Sequence, residues 1–259
     1  VSIGRVAYET FPLTAENNFL PDLDAIPEET ARRAKFIYIN YPNNPTGAVA
    51  TKAFYEKLVA WAKTYEVGVV SDLAYGALGY RGYENPSFLS TPGAKDVGIE
   101  FYTFSKTFNM AGWRLAFAAG NDQMIEALNL IQDHLFVGIF PALQEAGIAA
   151  LIDPKSEEAV AQLNVTYDSR RDAFVQAAAK IGWKAFPSKG SFYAWMPVPE
   201  GYTSESFADL LLEKAHVAVA PGKGFGSAGD AYVRIGLLVE PERLVEAVDR
   251  IADLQLFNN

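Results

Sequence analysis

Apolar residues in the first two-thirds of the chain come in short runs separated by stretches of helical period. That alternation predicts strands of a parallel sheet interleaved with covering helices. Residues Lys35 to Asn40 (KFIYIN) are rich in β-branched and aromatic side chains and predict a buried strand. Tyr41-Pro42-Asn43-Asn44-Pro45-Thr46-Gly47 ends it, because its prolines and glycine forbid continued regular structure. From Thr51 to Glu66, Phe54, Leu58, Trp61, Ala62 and Tyr65 recur at helical spacing, so this stretch is an amphipathic helix. Val67 to Ser71 predicts the next strand, ending at Asp72, and Ile99 to Phe104 another, ending at Ser105-Lys106. Leu115 to Ala119 predicts one more, closed by Gly120-Asn121-Asp122, which can cap the helix that follows.

Helices are then expected at Asp122 to Leu135 and Pro141 to Ile152, with a break at Asp153-Pro154. A long helix follows from Ser156 to Ile181, with Val160, Leu163, Tyr167, Phe174 and Ala178 on its apolar face. Beyond it the pattern predicts strands at Phe192 to Met196, Val217 to Ala220 and Tyr232 to Ile235, and helices at Ser204 to His216 and Pro241 to Leu254. The expected fold class is α/β: a mostly parallel sheet with covering helices over residues 1–153, and a smaller C-terminal α+β domain over 154–259. No internal repeat or low-complexity tract is visible. The chain opens Val1-Ser2-Ile3 without an initiator Met and runs at once through strand-like sequence, as expected of a start within a domain.

Half of the residues are hydrophobic and a fifth charged, a composition that suits a globular enzyme rather than a disordered segment. A formal net charge of −9 and the lack of a basic patch argue against a nucleic-acid partner, although arginines in a cleft can still hold a small anion. With no cysteine, disulfides, thiolate nucleophiles and cysteine-based zinc sites are excluded, and no metal site is expected. No apolar stretch has the length of a membrane span and no signal peptide is seen, so no membrane association and a cytoplasmic location are expected.

The predicted strands end on polar residues of complementary kinds: Asn40 leading to Asn44, Ser71 leading to Asp72, and Phe104 leading to Ser105-Lys106. In open α/β sheets ligands sit at the carboxyl ends of the strands, so these residues can share one site. A nucleophilic lysine needs desolvation or nearby positive charge. Lys106 has aromatics on both sides and Arg114 downstream, while the hydroxyls of Thr103, Ser105 and Thr107 with the Arg114 fork make a phosphate cradle. Each residue also has a plain structural role open to it. Lys106 fits a solvated loop, Asp72 a helix cap, Tyr75 a packed aromatic, Asn44 a turn and Arg234 an edge-strand ion pair. His134 and His216 are read as helix residues. Gly222-Lys-Gly-Phe-Gly-Ser lacks the spacing of a Walker loop or a dinucleotide fingerprint.

Ser105-Lys106-Thr107-Phe108-Asn109-Met110-Ala111-Gly112-Trp113-Arg114 resembles the pyridoxal 5′-phosphate attachment site of the class I/II aminotransferases, fold type I. Asn43-Asn44-Pro45-Thr46-Gly47 resembles that family's Asn-Pro-Thr-Gly loop, and Asp72-Leu-Ala-Tyr75 its Asp-x-x-Tyr. Tyr232-Val-Arg234-Ile-Gly236 resembles its carboxylate-binding strand, and Pro221-Gly-Lys-Gly-Phe225-Gly226 a substrate-side loop. The matches follow family order along nearly the whole chain.

The resemblance implies an aminotransferase that moves an α-amino group between an amino acid and a 2-oxo acid. Lys106 would carry pyridoxal 5′-phosphate as a Schiff base and then serve as the base. Asp72 would face the pyridine nitrogen, and Tyr75 and Asn44 the phenolic oxygen. Thr103, Ser105 and Arg114 would hold the phosphate, and Arg234, with Asn44 nearby, the substrate carboxylate. Asn17-Asn18-Phe19-Leu20-Pro21-Asp22 and the segment from Pro199 to Phe207 resemble a bacterial subgroup of methionine-salvage, aspartate and diaminopimelate aminotransferases, the first above the others. A homodimer with shared sites is implied as well. The family's opening portion, with its glycine-rich phosphate loop and a ring that stacks on the cofactor, has no counterpart here. The alternatives are a lyase or synthase that uses the same cofactor on the same fold, and an inactive truncated remnant.

Overall fold

In the computed structural model, which describes residues 6–135 and 137–257, the early apolar runs build a four-stranded sheet of order β1-β2-β3-β4. After the short helix α1 (Glu28–Arg33), β1 (Phe36–Asn40) leads through the Asn-Pro loop into α2 (Lys52–Tyr65) and then β2 (Gly68–Asp72). The turn α3 (Ala94–Val97) precedes β3 (Gly98–Thr103), and the single helical turn α4 (Phe104–Thr107) separates β3 from β4 (Ala116–Gly120). β1, β2 and β3 are parallel, whereas β4 runs antiparallel to β3.

α2 shows why the sequence folds this way. The Thr51 hydroxyl accepts from Phe54 N at 3.1 Å and starts the helix, and Glu66 at φ 55° ends it. Phe54, Leu58 and Ala62, with Tyr55 and Val59 beside them, are buried against Ile37, Ile39 and Val69 of the sheet. Each large side chain in this layer contributes about 1.5–3 kcal/mol by leaving water.

Two strand expectations need correction. β1 is buried on one side only: Ile37 and Ile39 are inside, but Phe36 is 61% and Tyr38 63% exposed. β1 lies at the sheet edge and alternates its side chains between faces, and its core lies on one of them. The strand-like opening forms no strand within residues 6–14, where no neighbouring ladder takes it up, and residues 1–5 lie outside the described residues. The segment after it is nonetheless anchored by Phe19, whose ring meets Phe186 at 4.7 Å and Tyr232 at 5.9 Å.

Helices α5 (Asp122–Leu135), α6 (Pro141–Ile152) and α7 (Lys155–Lys180) follow close to their expected bounds. The second sheet is antiparallel, of order β5-β7-β6, from β5 (Tyr193–Pro197), β6 (Ala220–Pro221) and β7 (Tyr232–Gly236). α8 (Ser204–Leu210) passes into a π-helical turn at Leu211–Ala215, and α9 (Pro241–Ala252) packs on α7. Trp183, Met196, Phe207, Leu237, Val248 and Ile251 fill the core between them. The strand expected at Val217 to Ala220 shrinks to Ala220–Pro221, because Val217 N closes the preceding turn on Leu211 O and is spent there.

The two sheets meet through the loop before β5. Tyr80 N donates to Lys189 O at 2.9 Å, Ser191 N donates to Leu78 O at 3.2 Å, and Gly79 and Gly190 form a bridge. A Cβ on Gly190 would lie 2.8 Å from Pro42 and 2.9 Å from Leu78 O, so only glycine permits this approach. The contact sets Phe192 and Tyr193 against Tyr75.

Candidate active site

The carboxyl ends of β1, β2 and β3 collect the polar residues at one edge of the first sheet. Asn40 and Asp72 are register partners, and Asn40 Nδ2 donates to Asp72 O at 3.0 Å. Asn40 Oδ1 accepts from Asn44 N at 2.9 Å, which fixes the entry to the Asn-Pro loop. Within the loop Asn43 Oδ1 accepts from Thr46 Oγ1 at 2.7 Å and from Thr46 N at 3.2 Å. The turn-forming role open to this loop is thus realised, mainly by Asn43, while the Asn44 side chain is left to reach across to β7. Arg234 Nη1 donates to Asn44 Oδ1 at 2.8 Å, joining the two sheets at the site.

Aromatic rings complete the circuit. The Arg234 guanidinium lies 4.2 Å from the Tyr193 ring and 4.7 Å from the Phe225 ring. Tyr193 contacts Tyr75 at 6.0 Å, Tyr75 meets Phe192 edge-on at 5.3 Å, and Lys106 Nζ stands 5.6 Å from the Phe192 centroid. Asn44, Tyr75, Lys106 and Arg234, far apart in sequence, therefore lie along one chain of contacts.

Lys106 was expected in a loop; it occupies the single turn α4. Thr103 Oγ1 accepts from Ser105 N at 3.2 Å and starts the turn. Phe104 and Thr107 face the core, which leaves Ser105 and Lys106 half-buried on the other side. Thr107 is not in the hydroxyl cluster: its Oγ1 accepts from Tyr102 Oη at 2.7 Å. Thr103 and Ser105 are together, with their hydroxyls 3.0 Å apart. Arg114, at φ 55° and exposed, donates to Ala111 O at 3.0 Å and makes no hydrogen bond to either hydroxyl.

The electrostatics follow from burial. Asp72 Oδ1 accepts from Ala74 N at 3.0 Å, the capping role its sequence position allows, and its other oxygen remains open. Burial raises the Asp72 pKa, opposed by the Ala74 N–H. Burial also raises the Tyr75 pKa well above the ordinary phenol range; Tyr193 adds to this and Arg234 opposes it, so Tyr75 keeps its O–H as a donor.

The donor set fits pyridoxal 5′-phosphate. An aldehyde needs an amine, here Lys106. A protonated ring nitrogen needs an anion, and Asp72 has a free oxygen. A phenolate oxygen needs donors: Tyr75 supplies its O–H, and Asn44, whose Oδ1 is taken by Arg234, offers its Nδ2. The Thr103 and Ser105 hydroxyls suit a phosphate.

Tyr193 and Phe192 are the site residues that sequence reasoning missed; Asn40 was placed at a strand end and Phe225 in the substrate-side loop, without the contacts they make here. Tyr193 reaches the site through the strand register: Trp195 pairs with Arg234, so Tyr193, two residues earlier on the same strand face, is its diagonal neighbour, a pairing the sequence alone does not state.

An α/β sheet thus carries a lysine, a carboxylate and an asparagine at adjoining strand ends, faced by a ring-flanked arginine. The family model for aminotransferase class I and II matches residues 1–251, and the chain belongs to that family, whose members depend on pyridoxal phosphate. It is 54% identical over 257 residues to an L-glutamine--4-(methylsulfanyl)-2-oxobutanoate aminotransferase of Bacillus subtilis, covering 99% of this chain and 64% of that protein. It is 51% identical to an LL-diaminopimelate aminotransferase of Moorella thermoacetica, covering 93% of this chain and 61% of the relative. The apo structure of BacF from Bacillus subtilis superposes with a TM-score of 0.94 at 46% identity, covering 100% of this chain and 66% of that one. An aminotransferase from Staphylococcus aureus gives 0.89 at 40% identity, over 93% of this chain and 64% of the other. The chain thus spans less than two-thirds of the length of these relatives.

Proposed function

We propose that the protein is an aminotransferase that exchanges an α-amino group between an amino acid and a 2-oxo acid at the Lys106 site. The observation that carries this reading is the chain of contacts that runs from Lys106 through Phe192, Tyr75 and Tyr193 to Arg234 and on to Asn44. Pyridoxal 5′-phosphate, when bound, supplies an electron sink for the electron pair left at the substrate α-carbon.

The chain's own residues do the rest. One Nη1 hydrogen of Arg234 is engaged by Asn44, and the remaining guanidinium donors receive the substrate α-carboxylate as a fork. That orients the α-carbon toward Lys106, whose amine carries the proton from the α-carbon to its new position and back. With the cofactor bound, Tyr75 and Asn44 Nδ2 would donate to its phenolic oxygen, Asp72 would hold the proton on its ring nitrogen, and Thr103, Ser105 and Arg114 would hold its phosphate. Division of labour between residues 1–153, carrying Lys106, and 154–259, carrying Arg234, is part of the proposal; the core around Trp183, Phe207 and Val248, which draws only on 154–259, supports it, while Trp195 and Phe192 tie the two parts together.

For the substrates, the identities of the named relatives support 4-(methylsulfanyl)-2-oxobutanoate as amino acceptor ahead of LL-diaminopimelate as amino donor. A homodimer in the cytoplasm is proposed on family grounds. No described helix is long and apolar enough to cross a membrane.

Absorbance of the purified protein with added cofactor, wild type beside Lys106→Ala, tests the site. A visible band that borohydride abolishes, present in the wild type alone, is expected; the same band in Lys106→Ala refutes the assignment. Product analysis then separates transfer, which forms a new amino acid from a 2-oxo acid, from elimination, which releases ammonia.

A further inference from the structure

The segment between β6 and β7 consists of two short 3-10 turns, Gly222–Phe225 and Ser227–Ala231, and it is pinned at both ends. Phe225, 41% exposed, lies between these ends and covers one face of the Arg234 guanidinium. The pinning comes from one serine. Ser204, fully buried at the start of α8, donates its hydroxyl to Asp230 Oδ1 at 2.7 Å and accepts from Lys223 N at 3.2 Å. Ser204 N also donates to Asp230 Oδ1, at 3.2 Å. A single hydroxyl therefore binds the residue shortly before Phe225 and the residue shortly after it.

Glycines allow the two ends to touch. A Cβ on Gly222 would sit 2.1 Å from Gly229 O, and a Cβ on Gly229 would sit 2.2 Å from Gly222 O. Lys223 Nζ adds an ion pair to Glu205 at 2.6 Å, exposed and therefore minor. Phe225 at the crest is set against Trp195, ring to ring at 6.0 Å, as well as against Arg234. With Tyr193 at 4.2 Å and Phe225 at 4.7 Å, two aromatic rings pack against the guanidinium. A fork held in this way loses little freedom when a carboxylate arrives, and a carboxylate bound beside two rings is less screened by water.

We propose that Ser204 and Asp230 are positioning residues for substrate binding: they clamp the 222–230 loop so that Phe225 holds Arg234 ready for the substrate carboxylate. This rests on the reading of Arg234 given above. It adds a buried hydroxyl on a helix remote from the cofactor residues to the determinants of substrate affinity. The prediction is specific to substrate. Loosening the clamp weakens every carboxylate alike and leaves cofactor binding alone, since the clamp touches none of Lys106, Asp72, Tyr75, Thr103 or Ser105.

The test measures KM and kcat for an amino acid and a 2-oxo acid, and calorimetric binding of the unreactive monocarboxylate 4-methylpentanoate, in the cofactor-loaded protein. Ser204→Ala, Asp230→Ala and Phe225→Ala are each expected to raise both KM values and the carboxylate Kd about tenfold, with kcat and cofactor affinity within about twofold of wild type. Asp230→Asn, which keeps the Oδ1 acceptor, is expected to restore wild-type values. Asp230 lies at the surface, so its variants also answer the question should Ser204→Ala fold poorly. Unchanged KM and Kd in Asp230→Ala, with Arg234→Ala strongly impaired, overturns the clamp alone. Unchanged carboxylate binding in Arg234→Ala overturns the site reading and the clamp together. Equal loss of kcat and cofactor affinity in Asp230→Ala reduces the clamp to general structural support and also overturns it.

Discussion

Glu100 is a buried carboxyl group with no ion-pair partner among the described residues, and its replacement gives a sharp test of how the sheet's active edge is held. It sits in β3 opposite Ser71, the residue before Asp72, and is 5% exposed. Oε2 accepts from Ser71 Oγ at 3.0 Å and from Phe88 N at 2.8 Å, and Oε1 accepts from Ser87 Oγ at 2.5 Å. Glu100→Ala leaves all these donors without an acceptor. The serine hydroxyls can rotate, and Ser71 has the unpartnered Tyr55 Oη among its neighbours, but the Phe88 N–H cannot turn away. One stranded buried N–H costs about 1–3 kcal/mol, and with partial loss at the serines the expected total is about 3 kcal/mol. Glu100→Gln keeps an oxygen at the Oε2 position for Ser71 and Phe88, and its amide can donate to Ser87 Oγ, so about 1 kcal/mol or less is expected. Urea unfolding of both variants, with amide exchange at Phe88, measures the difference. Equal destabilisation by Gln and Ala would show that charge, not the count of acceptors, governs the site, and a loss under about 1 kcal/mol for Ala would refute the reasoning altogether.

The remaining predictions are briefer. Because burial raises the Asp72 pKa in the fold, the folded state binds this proton more tightly than the unfolded chain, and stability falls as pH rises through the carboxylate range. Asp72→Asn should therefore melt at or above the wild-type temperature at pH 7 in the cofactor-free protein, with the gap closing at low pH; a lower melting temperature at pH 7 contradicts this. Gly222→Ala should cost about 1–3 kcal/mol, since its Cβ would meet backbone oxygens of Gly229 and Tyr232 at 2.1 and 2.4 Å; chemical denaturation checks it. Leu58→Ala, fully buried under the first sheet, should cost about 2–5 kcal/mol, while Leu130→Ala, 58% exposed on α5, should cost under about 0.5 kcal/mol in the same assay.

The sequence by itself determined most elements and the order of the site's parts. Helical spacing placed α2 within a residue or two, because its apolar stripe both forms the helix and faces the core. The residues at the strand ends were legible since a strand that stops at Asn40, Asp72 or Thr103 stops for a local reason, a proline, a turn or a cap. Local reasons were insufficient where burial depends on neighbours. Phe36 and Tyr38 read as core residues, and they are exposed because the core packs on the face that carries Ile37 and Ile39 alone. Val217 read as strand, yet its N–H was already committed to the helix end. Thr107 read as a phosphate ligand until Tyr102 claimed it. The partnership of Arg234 with Asn44, 190 positions apart, and the rings that flank the guanidinium were settled in three dimensions. Periodicity and turn chemistry act over a few residues, so the chain encodes them openly; which faces and side chains meet across the fold depends on packing summed over both sheets, and the tertiary structure alone decides it.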